Sequence, residues 1–174
     1  MSTPQISFEV FPPKSVDASF HLWDTAQTLA PLSPRFFSVT YGAGGTTRDL
    51  THDAAHVLRR NSGLPVAAHL TCVGASKSET LETADKFRDI GVTDIVALRG
   101  DPPVGSETFI PHPDGFADSC ALITALAKQG DFTSRVGAYP DVHPDATNQQ
   151  ANIDWLKRKF DAGADEAITQ FFFE

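Results

Sequence analysis

Short apolar runs alternate with longer amphipathic stretches along the whole chain, and glycines or prolines separate them. Short runs rich in Val, Ile and Phe are typical of strands, whereas apolar positions that recur every three to four residues are typical of helices. The predicted strands are 6–11, 36–40, 66–70, a run that starts at 94 and ends before Arg99, 135–139 and 167–173. The predicted helices are 18–29, 47–60, a helix from 76 that Gly91 closes, 116–128 and 148–162.

Local signals fix the ends and faces of several predicted helices. Ser76 with Glu79 has the spacing of a capping box, and Thr46 with Asp49 is an acidic variant of the same motif. Apolar residues at helical spacing predict the inward faces of the third and the last helix. These residues are Leu81, Ala84 and Phe87 in the third helix, and Ile153, Leu156 and Phe160 in the last.

Strands that alternate with helices predict a parallel sheet, either an open doubly wound sheet or a (β/α)8 barrel. A barrel gathers its chemistry from the ends of many strands, whereas an open sheet concentrates it near one switch point. Polar residues lie in the second half of every predicted strand or directly after it. This pattern favours the α/β class with a (β/α)8 TIM barrel whose first six strands lie in this chain. These residues are Glu9, Thr40, His69, Arg99 with Asp101, Tyr139 and Gln170.

Composition indicates one domain over residues 1–174, because 41% hydrophobic and 21% charged residues suit a soluble core. The net charge of −8 argues against nucleic acid and anionic membranes as partners. Two widely separated cysteines, Cys72 and Cys120, and the lack of a signal peptide or an 18-residue apolar segment predict a reduced, cytoplasmic protein.

Three familiar motifs are weak. The glycines after the second strand lack the third glycine of a dinucleotide-binding loop, where Thr47 stands instead. His52 and His56 lie one helical turn apart, but no third ligand accompanies them, so no metal site is predicted. His69 and Cys72 are three apart on an extended segment and point to opposite faces, so acyl-enzyme chemistry is not indicated.

Two charged positions leave alternatives open. Arg99 and Asp101 at the fourth strand's end form either a self-paired turn or a polar site, beside a long loop over 102–115 that favours function. Glu9 lies in an otherwise apolar strand. It is either a carboxyl whose pKa is raised, and which can act as a general acid, or a glutamate paired with a cation.

Six ordered motifs together resemble the 5,10-methylenetetrahydrofolate reductase family. They are 7–13 (SFEVFPP), 38–43 (SVTYGA), 68–72 (AHLTC), 96–101 (VALRGD), 138–140 with 143–144 (AYP and HP), and 167–173 (AITQFFF). The resemblance implies a flavoenzyme on a (β/α)8 barrel with FAD at the carboxyl ends of the strands. It implies reduction of methylenetetrahydrofolate to 5-methyltetrahydrofolate for methionine synthesis. NADH or NADPH would give hydride to flavin N5 in a ping-pong order.

The resemblance also implies residue roles. Glu9 matches the general acid that protonates folate N10, Asp101 matches the aspartate near the flavin and pterin, and Gln170 matches a pterin contact. The matching FAD-contact positions are Thr40, Tyr41, Ala43, His69, Arg99, Gly100, Asp101, Ala117, Tyr139, His143, Asn152 and Lys159. Asn152 stands where some members have an aspartate, and an amide still forms hydrogen bonds.

The sequence stops just after Gln170 and its aromatic run, before the last two strands of the family barrel. It is therefore expected to be a fragment or a truncated relative. A flavin- or folate-binding fragment without turnover and an open-sheet dehydrogenase remain alternatives. The choice between NADH and NADPH stays open, and the expected open edge makes homo-oligomers plausible.

Overall fold

The computed structural model describes residues 4–42, 47–102, 105 and 108–173 of the chain. Strands and helices alternate along it. The strands are β1 Phe8–Val10, β2 Phe37–Val39, β3 Val66–Thr71, β4 Asp94–Leu98, β5 Thr133–Ala138 and β6 Glu166–Thr169. The helices are α1 Val16–Leu29, α2 Arg48–Ser62, α3 Lys77–Asp89, α4 Ser119–Gln129 and α5 Gln149–Asp161, with a short 3-10 helix at Ala30–Leu32.

The six strands form one parallel sheet in the order of the sequence, β1 to β6. The sheet is curled. Arg35, just before β2, contacts Glu166 of β6 through its side chain, although four strand spacings in a flat sheet would separate them by roughly 19 Å. This curled sheet with alternating helices confirms the predicted barrel class with its first six strands.

Alternation along the strands gives the sheet two distinct faces. Val66, Ala68 and Leu70 of β3 face the helices and belong to the main core, whereas Ala67 packs inside the curl. Because side chains alternate, His69 and Thr71 share the inner face with Ala67. The inner face therefore presents polar groups toward the carboxyl ends of the strands.

A cluster of charged residues lies at the opposite, amino-terminal ends of the strands. Arg135 is only 4% exposed and contacts both Asp94 and Glu166, the latter through Nε at 3.0 Å. Its guanidinium also stacks over Phe36 at 4.4 Å. We call Arg35, Asp94, Arg135 and Glu166 the charged floor; two positive and two negative groups balance one another there.

The predicted starts of the helices were confirmed only in part. Ser76 and Glu79 form the predicted capping box, with the Ser76 amide donating to Oε2 of Glu79 at 2.8 Å. Helix α2 has Thr47 at its N-cap position without a side-chain cap bond, and Thr46 of the predicted box with Asp49 lies outside the described residues. Helix α4 starts at Ser119 because the Asp118 side chain caps it, later than predicted.

Two predictions near the end of the chain are wrong. Ile153 and Phe160 of α5 are 50% and 43% exposed, and Leu156 packs against the core. Strand β6 stops at Thr169, so the aromatic residues 171–173 follow it as exposed, non-strand residues. Strand β6 is the last strand in the sheet order and α5 is the helix that precedes it, so no described strand lies beyond β6.

None of the helices in the described part of the chain combines the length and the apolar character of a membrane-spanning segment.

Candidate active site

A cavity of about 580 Å³ opens at the carboxyl ends of β3 to β6 and is flanked by α5. Nine of the residues singled out in the sequence line it, although they come from five separate stretches of chain. They are Tyr41, Arg99, Gly100, Asp101, Tyr139, His143, Asn152, Lys159 and Gln170. The parallel topology brings these strand ends to one edge, which is why residues so far apart in sequence meet.

The other predicted site residues lie elsewhere. Ala117 lines an adjoining cavity that shares Arg99 with the first. Thr40 follows β2, and its carbonyl accepts from the Thr51 hydroxyl at 3.0 Å. Glu9 and His69 lie on the inner face of the curl. Ala43 lies outside the described residues.

Gly100 sits where only glycine fits. Its φ of +87° is a left-handed conformation, and a Cβ there would lie 2.5 Å from Cγ2 of Val73 and 3.0 Å from Cβ of Thr71. Side chains rarely adopt this backbone conformation and cannot occupy this space. The glycine therefore lets the turn between Arg99 and Asp101 pack directly on the end of β3.

Arg99 pairs with a residue that the sequence analysis missed. Its Nη1 lies 2.7 Å from Oδ2 of Asp145, and its guanidinium stacks on Phe109 of the long loop at 5.2 Å. The Arg99 guanidinium holds the pKa of Asp145 below its usual value. The polar-site alternative for this strand end gains support, because Arg99 reaches Asp145, 46 residues away, and both line the cavity.

Side chains of α5 hold the end of β5 and the loop after it. Asn152 donates through Nδ2 to the carbonyl oxygens of Tyr139 at 3.0 Å and Asp141 at 3.2 Å. Nζ of Lys159 donates to the carbonyl of Gly137 at 2.7 Å, and burial lowers the pKa of this lysine. The cavity wall on this side is therefore built by one helix.

Glu9 is not the isolated carboxyl that one of the alternatives described. Oε2 of Glu9 lies 3.3 Å from Nε2 of His69 and 3.5 Å from Oγ of Ser38. The His69 imidazole is the main reason why the pKa of Glu9 is lowered, and it outweighs the desolvation that would raise it. Of the two alternatives, the structure favours the paired glutamate over the raised pKa, because Glu9 is 56% exposed and has an imidazole beside it.

The cavity also contains an unusual hydroxyl. Oγ1 of Thr71 is buried without a hydrogen-bond partner among the described residues, and Thr71 lines the cavity next to Gly100. A buried hydroxyl without a partner costs free energy. An uncharged wall at Thr71 and Gly100, with cations at Arg99 and Lys159, fits a ligand that joins a neutral ring system to anionic groups.

The described residues support neither a cysteine nucleophile nor a metal site. Burial raises the pKa of Cys72 to about 12, so this thiol is not poised as a thiolate nucleophile. No group of three His, Cys, Asp or Glu side chains in the described ranges is arranged to hold a metal ion.

Comparison with known proteins adds a family to this geometry. The family model described as methylenetetrahydrofolate reductase matches residues 1–174. The chain is 45% identical over 170 residues to 5,10-methylenetetrahydrofolate reductase of Pectobacterium carotovorum subsp. carotovorum, covering 97% of this chain and 55% of the relative. It is 44% identical over 169 residues to the protein of that name from Escherichia coli (strain K12), with the same coverage.

A plant relative is more distant. Methylenetetrahydrofolate reductase (NADH) 1 of Arabidopsis thaliana is 35% identical over 179 residues, covering 97% of this chain and 30% of the relative. The chain thus spans about half the length of the bacterial relatives, 55% in both cases.

Solved structures resemble the chain in fold alone. A 2,3-dimethylmalate lyase structure superposes with a TM-score of 0.64 at 11% identity, covering 98% of this chain and 58% of that one. An oxaloacetate acetylhydrolase structure gives 0.63 at 15% identity, with 98% and 59% covered.

Proposed function

The chain belongs to the methylenetetrahydrofolate reductase family, and from this premise we propose that it forms the FAD-binding part of an enzyme that reduces 5,10-methylenetetrahydrofolate to 5-methyltetrahydrofolate. The observation that carries the proposal is that nine predicted site residues line one cavity, with Arg99 and Lys159 as its cations. The natural setting we propose is the cytoplasm and one-carbon metabolism leading to methionine.

In this proposal FAD occupies the cavity. Arg99 and Lys159 lie where they can neutralise its phosphates, and Thr71 and Gly100 form an uncharged wall suited to its ring system. The remaining contacts would come from Thr40, Tyr41, Ala43, His69, Ala117, Tyr139, His143 and Asn152. When bound, FAD supplies hydride transfer from NADH or NADPH to the folate, in a ping-pong order.

Arg99 must exchange partners to bind a phosphate. Its guanidinium is engaged by Asp145 at 2.7 Å, but Asp145 is 59% exposed and can turn toward water. An exposed ion pair contributes little stability, so an anionic ligand can displace the carboxylate at small cost. Lys159 similarly retains two donor hydrogens beyond its bond to Gly137.

Asp101 and Gln170 are the proposed folate contacts. Both line the cavity and both are exposed. The Asp101 carboxylate would stabilise the positive charge that develops at folate N5 when the five-membered ring opens, and the Gln170 amide would hydrogen-bond the pterin. A negative charge next to a developing cation stabilises the transition state more than the neutral ground state.

Glu9 is the proposed source of the proton that N10 takes up on ring opening. The test is Glu9→Gln in the chain reconstituted with FAD. Reduction of the flavin by NADH or NADPH should keep its rate, whereas its reoxidation by methylenetetrahydrofolate should fall by about 10²- to 10⁴-fold, the usual contribution of a general acid. Flavin absorbance in anaerobic stopped-flow experiments measures both half-reactions.

Equal losses in the two half-reactions would refute the role of Glu9. A wild-type chain that takes up no flavin, or whose flavin neither nucleotide reduces, would refute the proposed function itself. Offering NADH and NADPH side by side also identifies the hydride donor.

A second candidate is a flavin- or folate-binding unit that lacks turnover by itself. The 55% coverage of the bacterial relatives favours it, as does the exposure of Glu9, since a general acid works best when shielded from water. Folate reduction by the 174-residue chain alone would eliminate this candidate. Self-association of the chain stays a prediction, which sedimentation would test.

A further inference from the structure

Three neighbouring strands bring three polar side chains together on the inner face of the curl. Glu9 of β1 is in register with Ser38 of β2, and Ser38 is in register with Ala67 of β3. His69 lies two residues beyond Ala67 on the same face, one step closer to the carboxyl ends of the strands. Glu9 therefore has Ser38 beside it on β2. His69 lies closer than Glu9 to the carboxyl ends of the strands, where the cavity opens.

Both neighbours contact the same carboxylate oxygen. Nε2 of His69 lies 3.3 Å from Oε2 of Glu9, and Oγ of Ser38 donates to that oxygen at 3.5 Å. The His69 side chain is only 11% exposed, and its Nε2 is buried with no hydrogen-bond partner among the described residues, so the 3.3 Å approach to Glu9 is a close contact and not a well-directed hydrogen bond. Glu9 is thus the described group to which this nitrogen can pass a proton.

A carboxyl group whose ionised form is stabilised by an imidazole is a poor general acid by itself, because the carboxylate carries no proton to donate. We propose that Glu9 and His69 share one proton, and that His69 is the positioning residue that stores it and returns it to Glu9 for delivery to the folate. This inference rests on the proposed function, in which Glu9 protonates N10.

The proton balance is complete without a further reactant. The Nε2–H bond of the imidazolium breaks and an O–H bond forms at Oε2, which leaves a neutral imidazole and a neutral carboxyl. Rotation about the Cγ–Cδ bond, a soft torsion, turns the protonated oxygen toward the substrate. N10 takes that proton as the bond between N10 and the methylene carbon breaks, and the electron pair of that bond stays on N10.

Solution NMR of the flavin-free 174-residue chain can test the shared proton directly. Glutamate labelled with ¹³C at the carboxyl carbon, with the Glu9 signal assigned by its loss in Glu9→Gln, gives the titration midpoint of Glu9. We expect His69→Gln to raise this midpoint by about one pH unit or more, the usual effect of removing a close cationic neighbour. Ser38→Ala is the matched control, because it removes the other contact to Oε2, and we expect a smaller shift.

The histidine ring should also report on the carboxyl. In the wild type, the His69 ring signals should respond to the titration of Glu9. His69→Asn serves as a second variant should His69→Gln perturb the fold. An unchanged Glu9 midpoint in both histidine variants would overturn the inference.

Failure of the inference and failure of the proposed function give different results. Folate reduction by the wild type together with an unchanged Glu9 midpoint in the histidine variants overturns the shared proton alone. A raised midpoint together with no folate reduction supports the shared proton and counts against the proposed function. If the shared proton and the proposed folate reduction both hold, the pH midpoint of the folate half-reaction in His69→Gln should move upward together with the NMR midpoint of Glu9.

Discussion

At the scale of single residues, Gly100 decides how closely the end of β4 can approach β3. Its left-handed φ of +87° and the 2.5 Å distance from its missing Cβ to Val73 are separate constraints. Gly130 shares the first constraint, with φ of +72°, but has open space around it. Substituting alanine at each of the two glycines therefore distinguishes the cost of backbone strain, expected at both positions, from the cost of a steric clash, expected at Gly100 alone.

We expect Gly100→Ala to lower the free energy of unfolding by about 2–4 kcal/mol, and Gly130→Ala by about 1 kcal/mol. The larger loss at Gly100 combines the strain with a clash in a packed wall. Urea unfolding of both variants measures the difference. Equal losses at the two positions would mean that Val73 and Thr71 move aside without cost.

Nine of the predicted site residues line one candidate cavity, but the sequence did not predict the contacts among them. Arg99 is recognisable because it follows an apolar strand inside a motif, whereas Lys159 lies within α5 and was implied only by the family resemblance. The partner of Arg99 was missed, although an acidic residue directly after His143 and Pro144 was a signal available in the sequence. The sequence left the pKa of Glu9 open between two alternatives, because His69 approaches it from another strand and no local pattern encodes that distance.

At the scale of elements, helix starts show how much a local signal can fix. The capping box at the start of α3 forms both of its reciprocal hydrogen bonds. The Ser76 amide donates to the Glu79 carboxylate, and the Glu79 amide donates to Oγ of Ser76 at 3.3 Å. The backbone and hydroxyl of Ser76 also hold the pKa of Glu79 below its usual value. All partners of this motif lie within four residues, so it could be predicted.

Ser76→Ala should lower the free energy of unfolding by about 1 kcal/mol, because the Glu79 amide at the start of α3 loses its acceptor, Oγ of Ser76. Ser78→Ala is the matched control. Ser78 lies in the same turn, but its hydroxyl contacts the exposed Glu82 side chain and caps no amide. Thermal unfolding followed by circular dichroism should show a lower midpoint for the first variant only, and similar midpoints would contradict the capping role.

Element ends that depend on distant neighbours were less predictable. The pattern of 167–173 indicates a strand throughout, but β6 stops at Thr169. A strand continues only where a neighbour offers hydrogen bonds, and β5 pairs with β6 no further than Ala138 with Thr169. The sequence encodes the preference for extended structure, whereas the partner determines its extent.

At the scale of the whole molecule, the charged floor joins strands across the inside of the curl. Arg35 is the main reason why the pKa of Glu166 is lowered, and Arg135 adds to the effect. A carboxyl with a lowered folded-state pKa stabilises the fold above its unfolded pKa, near 4.5, and this stabilisation is lost as the pH falls through the folded value. The floor should therefore weaken in acid.

We expect the free energy of unfolding of the wild type to fall as the pH drops below about 4.5, and Glu166→Gln to reduce that slope while also lowering stability at pH 7. Glu82→Gln on the exposed surface of α3 is the control and should leave the slope unchanged. Urea unfolding at a series of pH values gives these curves. A slope that is the same in wild type and Glu166→Gln would exclude Glu166 as a source of acid sensitivity.

The contact between Arg35 and Glu166 has a consequence for the order of folding. Every strand pairing in the sheet joins consecutive strands, so each can form as soon as its own βα unit is complete. Arg35 and Glu166, by contrast, are 131 residues apart, and their contact must wait until the last strand is in place. Such a late contact is largely absent from the folding transition state, so it mainly slows unfolding and contributes little to the folding rate. The contact between Arg35 and Glu166 thus prolongs the lifetime of the folded sheet after the strands have assembled in sequence.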